Sequence, residues 1–502
     1  LGLVRDMVVA ALFTKSTTDA FFVAFTIPNV LRHLLAEGAL TIAFIPIFTD
    51  YRQNRGEAET KGFLDAAWTS LTVILLMVSV VGVLTAPWLV RLFAWGYVSD
   101  PAKFELAVRL TQVMFPYIFF VSLVALCMGV LNTAGHFTAP ALAPVLLNVL
   151  MIASTVALWK PMQAAGYEPI YGLAIGVILG GLAQLLLQLP AMAKRGYWPR
   201  LRMQLRHPGV VRMAKLMAPA VFGLALYQVN VLLARLLASF LPEGAVTYLY
   251  YSQRLIEFPM GIFAVAVATA AMPSLSRHAA AGDLQSLRET FADSLRLTLF
   301  IILPAMVGLL AVGEPLIAIM FERGRFTPEM THETYLALLG FLVSLWAAAG
   351  IRVIVPVYYA LEDSRTPVKV AALSLLVYIA GGLALMWPLR HFGLALAISI
   401  SSVVNFLVLL ALLRRRLGRL GLRALLSSGL KATLASLVMG ASAWGVCQLL
   451  GRPGFGRGWP RVGVVLASVM VAGVVYFGTA VLLRSPEVGE LRSALGRRRR
   501  AR

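Results

Sequence analysis

The sequence predicts an all-α integral membrane protein of about fourteen transmembrane helices, on three observations. Of its 502 residues, 59% are hydrophobic and only 13% are charged, against about a quarter charged in soluble domains. Apolar runs of about 20 residues or more, each able to cross a hydrocarbon core of roughly 30 Å, recur from end to end with mostly short connections. The runs are continuous and do not alternate in stretches of about ten residues, which favours a helical bundle over a β-barrel.

The apolar runs fall into two sets of six helices and a final pair. The first set is predicted at 1–14, 18–49, 62–95, 102–131, 137–160 and 169–193. After a basic linker, the second set is predicted at 208–241, 245–277, 287–321, 330–361, 366–388 and 391–416, and the final pair at 422–450 and 459–483. The first helix would rise only about 20 Å at 1.5 Å per residue, so we expect it to be truncated and to continue upstream.

Lysine and arginine give the chain a formal net charge of +21 and collect in particular connections. The most basic segments are 194–215, 414–431 and the C-terminal GRRRRAR. The positive-inside rule places these segments in the cytoplasm, which predicts that both termini are cytoplasmic. A basic groove interleaved with aromatic residues is missing, so the charge does not indicate nucleic-acid binding.

The two sets of six helices resemble each other at a nearly constant offset. Pro46 in FIPIF and Pro273 in AMPSL are 227 positions apart, as are Pro140 in HFTAPALAP and Pro367 in SRTPVKVAA. Because six is even, both halves enter the membrane from the same side, which predicts a parallel repeat of the kind found in transporters. Chance similarity between apolar helices is the alternative.

The second predicted helix carries polar residues where a membrane helix should be apolar. Asn29, His33 and Glu37 are spaced at i, i+4 and i+8, and Arg32 lies beside them, so one face of the helix is polar. Ionisable residues inside a membrane are costly unless they face a cavity or a partner. The pattern therefore predicts either a polar cavity or ion pairs between helices.

The corresponding helix of the second half, YYSQRLIEFPMG, repeats this arrangement. Gln253 and Glu257 are four residues apart, and Arg254 is adjacent to Gln253. Further ionisable residues within predicted helices are Arg5, Asp6, Asp19 and Arg352. Basic and acidic groups are balanced in this set, so residue types alone leave both alternatives open, a cavity for an anionic ligand and a scaffold of ion pairs.

Sequence signals of an enzyme are missing. The chain contains no Gly-x4-Gly-Lys-Ser/Thr phosphate loop and no His-Glu-x2-His, and its six histidines are scattered, so neither nucleotide hydrolysis nor zinc chemistry is predicted. Cys127 and Cys447 both lie in apolar runs, which argues against a disulfide and against a thiolate metal site.

Four stretches resemble signatures of the MurJ (MviN) family of the multidrug/oligosaccharidyl-lipid/polysaccharide (MOP) exporter superfamily. They are TDAFFVAFTIPNVLRHLLAEGALTIAFIPIF, LNTAGHFTAPALAPVLLN, YYSQRLIEFPMGIFAVAVATAAMPSLS and SRTPVKVA. The resemblance implies two six-helix lobes around a cationic cavity, with the last two helices forming a groove for a polyprenyl tail. It implies an N-lobe at 1–193, a cytoplasmic linker at 194–207, a C-lobe at 208–416, the groove helices at 417–484 and a basic cytoplasmic tail at 485–502.

The resemblance also implies which residues line the cavity. It assigns the basic residues of the substrate site to Arg5, Arg32 and Arg254. Accompanying polar positions are Asp19, Asn29, Glu37 and Glu257, and further cavity candidates are His33, Gln253 and Arg352. The sequence departs from the family pattern in three ways. His33 stands where a second arginine is common, Gln253 stands where an aspartate is common, and the basic residue expected upstream in the first helix is absent from this sequence.

The function implied by this resemblance is that of a flippase for lipid II, the undecaprenyl-pyrophosphate-linked disaccharide pentapeptide. Such a flippase works by alternating access in the bacterial inner membrane, without catalytic residues, cofactor or resident metal. Transport is expected to be coupled to the membrane potential, to Na⁺ or to H⁺, and the expected partners are lipid II, membrane lipids and the cell-wall synthesis machinery. The alternatives are another MOP-type exporter, carrying a polyprenyl-linked oligosaccharide or a drug cation, and a polyprenyl-phosphate transferase, although the clustered acidic residues of a transferase are missing.

Overall fold

A computed structural model describes residues 1–202, 204, 207–418, 420–450 and 459–489. The glycine-rich stretch 451–458 and the basic tail GRRRRAR lie outside these residues. The described residues form helices without a strand, which confirms the predicted all-α class. The chain divides into two compact units, Leu1–Thr247 and Tyr248–Arg502.

The first unit contains ten helices and the start of an eleventh. They are α1 (Gly2–Leu12), α2 (Lys15–Arg32), α3 (Thr41–Asn54), α4 (Gly56–Leu84), α5 (Ala86–Phe93), α6 (Pro101–Met114), α7 (Tyr117–Thr133), α8 (Thr138–Ala164), α9 (Ile170–Ala193), α10 (Pro208–Ser239) and the first turn of α11 (Ala245–Pro259). Side chains of Thr14 and Asp100 cap α2 and α6 by accepting backbone N–H groups, which satisfies donors that a helix start leaves unpaired.

The second unit contains the rest of α11 and seven further helices. They are α12 (Val265–Ala280), α13 (Leu284–Phe321), α14 (Pro328–Leu342), α15 (Leu345–Ala360), α16 (Arg365–Leu417), α17 (Leu422–Leu450) and α18 (Trp459–Leu482). Helix α16 covers two predicted spans, 366–388 and 391–416, and bends between them at Arg390, where φ is 51° and ψ is −136°. A non-glycine residue with positive φ interrupts a helix and allows the chain to reverse direction.

Every predicted membrane segment coincides with helical structure, although several are broken. Within the described residues, nine helical segments are long and apolar enough to cross a membrane when α6 with α7, and α11 with α12, each count as one segment. The count is ten if α14 and α15, which meet at 45°, also form one span. The helix predicted at 18–49 is α2, a π-helical segment at His33–Leu40 and α3 in succession. Its counterpart at 245–277 contains a π-helical segment at Met260–Ala264. The two π-helical segments begin 227 positions apart, the offset of the sequence repeat.

Each unit has its own apolar core. In the first unit, an aromatic stack joins α3 and α4, with Phe44 and Tyr51 both packed against Phe63 at ring-centroid distances of 5.7 and 4.9 Å. In the second unit, one buried cluster joins α13 to α17 and α18. Helix α10 packs against α3 and α4 of the first unit, whereas the predicted C-lobe begins at 208. The boundaries of the two lobes, at 1–193 and 208–416, therefore remain a prediction from the sequence.

Candidate functional site

Arg32 and its neighbours lie where α2 passes into the π-helical segment. The Arg32 guanidinium approaches the ring of the next residue, with Nη2 of Arg32 3.1 Å from Nε2 of His33. Asn29, one turn earlier, donates from Nδ2 to the carbonyl oxygen of Phe25 at 2.8 Å. Arg32 is half-buried and His33 is exposed. Glu37 belongs to the π-helical segment, and its side chain lies outside the described part of the structure.

Arg5, the third predicted basic residue, is in a buried contact with its neighbour. Its Nε and Nη2 donate to Oδ1 of Asp6 at 3.0 and 2.7 Å, and its Nη1 lies 3.8 Å from the sulfur of Met151 on α8. Arg5 is 7% exposed and Asp6 is 1% exposed. This ion pair between neighbouring residues of α1 is buried, and a contact between Arg5 and substrate stays a prediction.

The carboxylate of Asp19 binds residues from other segments of the first unit. Its carboxylate accepts hydrogen bonds from Nζ of Lys103 at 2.9 Å, from the Gly244 amide at 2.8 Å, and from the amide and hydroxyl of Thr247 at 2.9 and 2.7 Å. The Lys103 ammonium also lies 4.5 Å from the ring centroid of Tyr97. Asp19 thereby caps the start of α11, a position where a negative charge is favourable.

These contacts set Asp19 apart from the other candidates. Asp19 is 1% exposed and Lys103 is 7% exposed, and thirteen helical residues place Asp19 about 20 Å from Arg32 along α2. The contacts describe a structural role for Asp19, so its predicted contact with substrate stays a prediction. Neither Lys103 nor Thr247 was predicted, because the sequence gives no local sign that segments so far apart in the chain meet.

Arg254 is held by two residues of its own helix, α11. Its Nη1 donates to Oε2 of Glu257 at 2.7 Å and its Nη2 donates to the hydroxyl of Tyr250 at 2.6 Å. The guanidinium carbon also lies 4.9 Å from the centroid of the Tyr250 ring. The side chains of Arg254 and Glu257 are 33% and 52% exposed, so this guanidinium is fixed in direction but accessible. Tyr250 was not among the predicted residues, although its i, i+4 spacing from Arg254 places the two side chains on one face of the helix and is visible in the sequence.

The remaining candidates in the second unit are exposed but separate. Gln253 is exposed on α11 and Arg352 is exposed on α15. The structure thus brings Arg32, His33 and Asn29 together in the first unit and Arg254 and Glu257 together in the second. Among the described residues, no group of three or more His, Cys, Asp or Glu side chains is placed to hold a metal ion.

An open cavity of about 460 Å³ lies between α13, α14 and α17 of the second unit. Its lining is mainly apolar and consists of Val307, Leu310, Ala311, Glu314, Pro315, Tyr335, Leu437, Gly440, Ala441, Trp444, Cys447 and Gln448. Of the two helices predicted to form a lipid-tail groove, α17 contributes to this cavity, whereas no described residue of α18 lines it. Its volume and lining suit an apolar chain with a few polar contacts.

The chain is similar to known proteins in both sequence and fold. The family model described as "Lipid II flippase MurJ" matches residues 8–456. A "Probable lipid II flippase MurJ" from Vibrio cholerae is 39% identical over 417 residues, covering 82% of this chain and 79% of the relative. Another from Bdellovibrio bacteriovorus is 35% identical over 499 residues, covering 98% of this chain and 93% of the relative.

Two solved structures are similar to this chain in fold. The structure described as "Lipid II flippase MurJ, inward closed conformation" has a TM-score of 0.79 at 25% identity and covers 96% of both chains. An inward-facing multidrug resistance MATE family transporter of the MOP superfamily has a TM-score of 0.66 at 15% identity, covering 84% of this chain and 94% of that one. The second similarity concerns the fold alone.

Proposed function

The chain belongs to the lipid II flippase MurJ family, and we propose that it moves lipid II from the inner to the outer leaflet of the cytoplasmic membrane by alternating access. It is a transporter and not an enzyme, a multi-pass protein of the bacterial inner membrane that serves peptidoglycan synthesis. The observation that carries the proposal is the match of the family model over residues 8–456. Contact with the cell-wall synthesis machinery stays a prediction.

The direct cellular test is complementation. Cells depleted of their own lipid II flippase should regain growth and normal shape when they express this chain, and lipid II should again become accessible on the outer face of the membrane. Continued lysis despite normal amounts of folded protein in the membrane would contradict the proposal.

We propose that Arg32 and Arg254 each bind the charged headgroup of lipid II. The headgroup carries a pyrophosphate and peptide carboxylates, and arginine is the side chain suited to bidentate contact with such anions. Accessibility supports these two over Arg5, which is 7% exposed beside Asp6. Around them we propose polar contacts from Asn29, His33, Glu37, Gln253, Glu257 and Arg352.

We propose that the cavity between α13, α14 and α17 holds part of the polyprenyl tail. Ala441→Trp should fill the cavity and weaken lipid II binding about tenfold or more, the equivalent of roughly two buried CH₂ groups. The matched control is Leu434→Trp, because Leu434 is exposed on the same helix outside the cavity. Titration of purified protein with lipid II measures both variants, and an equal effect of the two would contradict the assignment.

We propose that both termini and the linker at 194–207 are cytoplasmic. In a chain carrying Cys127→Ala and Cys447→Ser, a thiol reagent that cannot cross the membrane should label Glu243→Cys in intact cells, because Glu243 is exposed in the loop before α11. It should label Arg202→Cys only after the cells are opened. The reverse pattern would overturn the proposed orientation.

We propose that transport draws on the membrane potential or on a gradient of Na⁺ or H⁺. An inside-negative potential favours outward movement of an anionic headgroup, by about 2.3 kcal/mol per charge per 100 mV. In vesicles, collapsing the potential and each gradient separately should identify which of them sustains transport.

A further inference from the structure

The C-terminal end of α16 presents two arginines beside an open cavity. The cavity has a volume of about 500 Å³ and is lined by Leu407, Leu410, Ala411, Arg414 and Arg415. These positions are spaced at i, i+3, i+4, i+7 and i+8, so they share one face of the helix. Both arginines are exposed. An apolar stripe of a membrane helix thus leads directly to a pair of guanidinium groups.

Arg416, the next residue in the chain, forms an ion pair with a carboxylate. Nη1 of Arg416 donates to Oδ2 of Asp363 at 3.0 Å, and its Nη2 donates to the carbonyl oxygen of Leu361 at 3.3 Å. Hydrogen bonds from the amide and hydroxyl of Thr366 lower the pKa of Asp363, and the Arg416 charge lowers it further. By contrast, no carboxylate in the described part of the chain forms an ion pair with Arg414 or Arg415. Their two positive charges are therefore not neutralised there.

We propose that this face of α16 binds one anionic phospholipid of the inner leaflet, at a site additional to the substrate site. The lipid phosphate contacts Arg414 and Arg415, and an acyl chain lies along Leu407, Leu410 and Ala411. Phosphate is a preferred partner of arginine. In the orientation proposed above, on which this inference rests, this end of α16 lies at the cytoplasmic face, where a basic pocket is suited to an anionic headgroup. A helix C-terminus favours basic residues without any ligand, but that effect requires neither the cavity nor the apolar stripe.

The first test removes the positive charges of Arg414 and Arg415 and compares the loss of lipid affinity with that of a matched double variant. The double variant Arg414→Gln with Arg415→Gln, purified as the full chain in neutral detergent, should bind phosphatidylglycerol roughly thirtyfold more weakly by native mass spectrometry, about fivefold per arginine. The control is Arg365→Gln with Lys369→Gln, two exposed cations near the other end of α16, on the same proposed side of the membrane. The affinity of the control variant for phosphatidylglycerol should stay within about twofold of that of the parent chain. Unchanged affinity in the first variant, or an equal loss in both, would overturn the proposal.

The second test separates a lipid site from a simple phosphate site. Ala411→Trp keeps both arginines but fills the cavity beside α16, and it should weaken phosphatidylglycerol binding about tenfold. Glycerol phosphate, which carries the charged group without acyl chains, should not displace phosphatidylglycerol at equal concentration. Displacement by glycerol phosphate, together with unchanged lipid affinity in Ala411→Trp, would identify a phosphate site and contradict the lipid assignment.

Discussion

Replacing Arg254 by alanine is expected to weaken lipid II binding by about one to two decades while the folded yield stays near that of the parent chain. A charge-assisted hydrogen bond to phosphate contributes about 1.5 to 3 kcal/mol, which corresponds to this loss of affinity. The fold should tolerate the change because Glu257, the ion-pair partner, is 52% exposed and remains hydrated, and exposed pairs contribute about 0 to 1 kcal/mol. Arg32→Ala should behave in the same way.

The measurement is a titration of purified variants with lipid II, combined with size-exclusion chromatography to score folded protein. Arg254→Lys is an informative companion because lysine keeps the charge but loses the planar fork, so its affinity should be intermediate. If both alanine variants bound lipid II like the parent chain, the headgroup assignment would be wrong. If both instead failed to fold, the arginines would be scaffold residues.

Replacing Lys103 by methionine is expected to lower the free energy of unfolding by about 3 to 5 kcal/mol. Methionine keeps much of the length of lysine but leaves the carboxylate of Asp19 buried without a counter-charge, which is the costly way to break a buried ion pair. Asp19 is 1% exposed, and within the described residues Lys103 is the cation that forms an ion pair with it. Adding Asp19→Asn to the same chain should recover part of the loss, because the buried charge is then removed.

The control for this variant is Lys61→Met. Lys61 forms an i, i+4 ion pair with Glu57 in which both side chains are exposed, so its loss should change the free energy of unfolding far less than the loss of Lys103 does. Chemical unfolding in mixed micelles, monitored by circular dichroism, compares the three variants with the parent chain. Similar small changes for Lys103→Met and Lys61→Met would show that Asp19 is hydrated, contrary to the structure.

The length and composition of the apolar runs sufficed to predict the helices, because crossing a membrane imposes a minimum length on each of them. The π-helical segments at His33–Leu40 and Met260–Ala264 were not predicted, because hydropathy responds to side chains and not to the spacing of backbone hydrogen bonds. The bend at Arg390 fell between two predicted spans, where the apolar pattern already weakened.

Only part of the candidate site could be predicted from the sequence. The arrangement of Arg254 and Glu257 follows from spacing on one helix, which is visible in the sequence. Asp19 was expected beside the substrate, yet its partners include Gly244 and Thr247, which are distant in the chain. A contact of this kind depends on how helices pack, so no local pattern of residue types could have predicted it.

The most direct measurement of the central claim is transport of lipid II by the purified chain in proteoliposomes. Lipid II is incorporated during reconstitution, and the fraction accessible to an externally added enzyme that modifies its headgroup is followed over time. The parent chain should make the inner-leaflet fraction accessible, Leu434→Trp should match it, and Arg254→Ala should be strongly slowed. Folded parent protein that leaves the inner-leaflet lipid II inaccessible, under an imposed membrane potential and with Na⁺ and H⁺ gradients, would contradict the account.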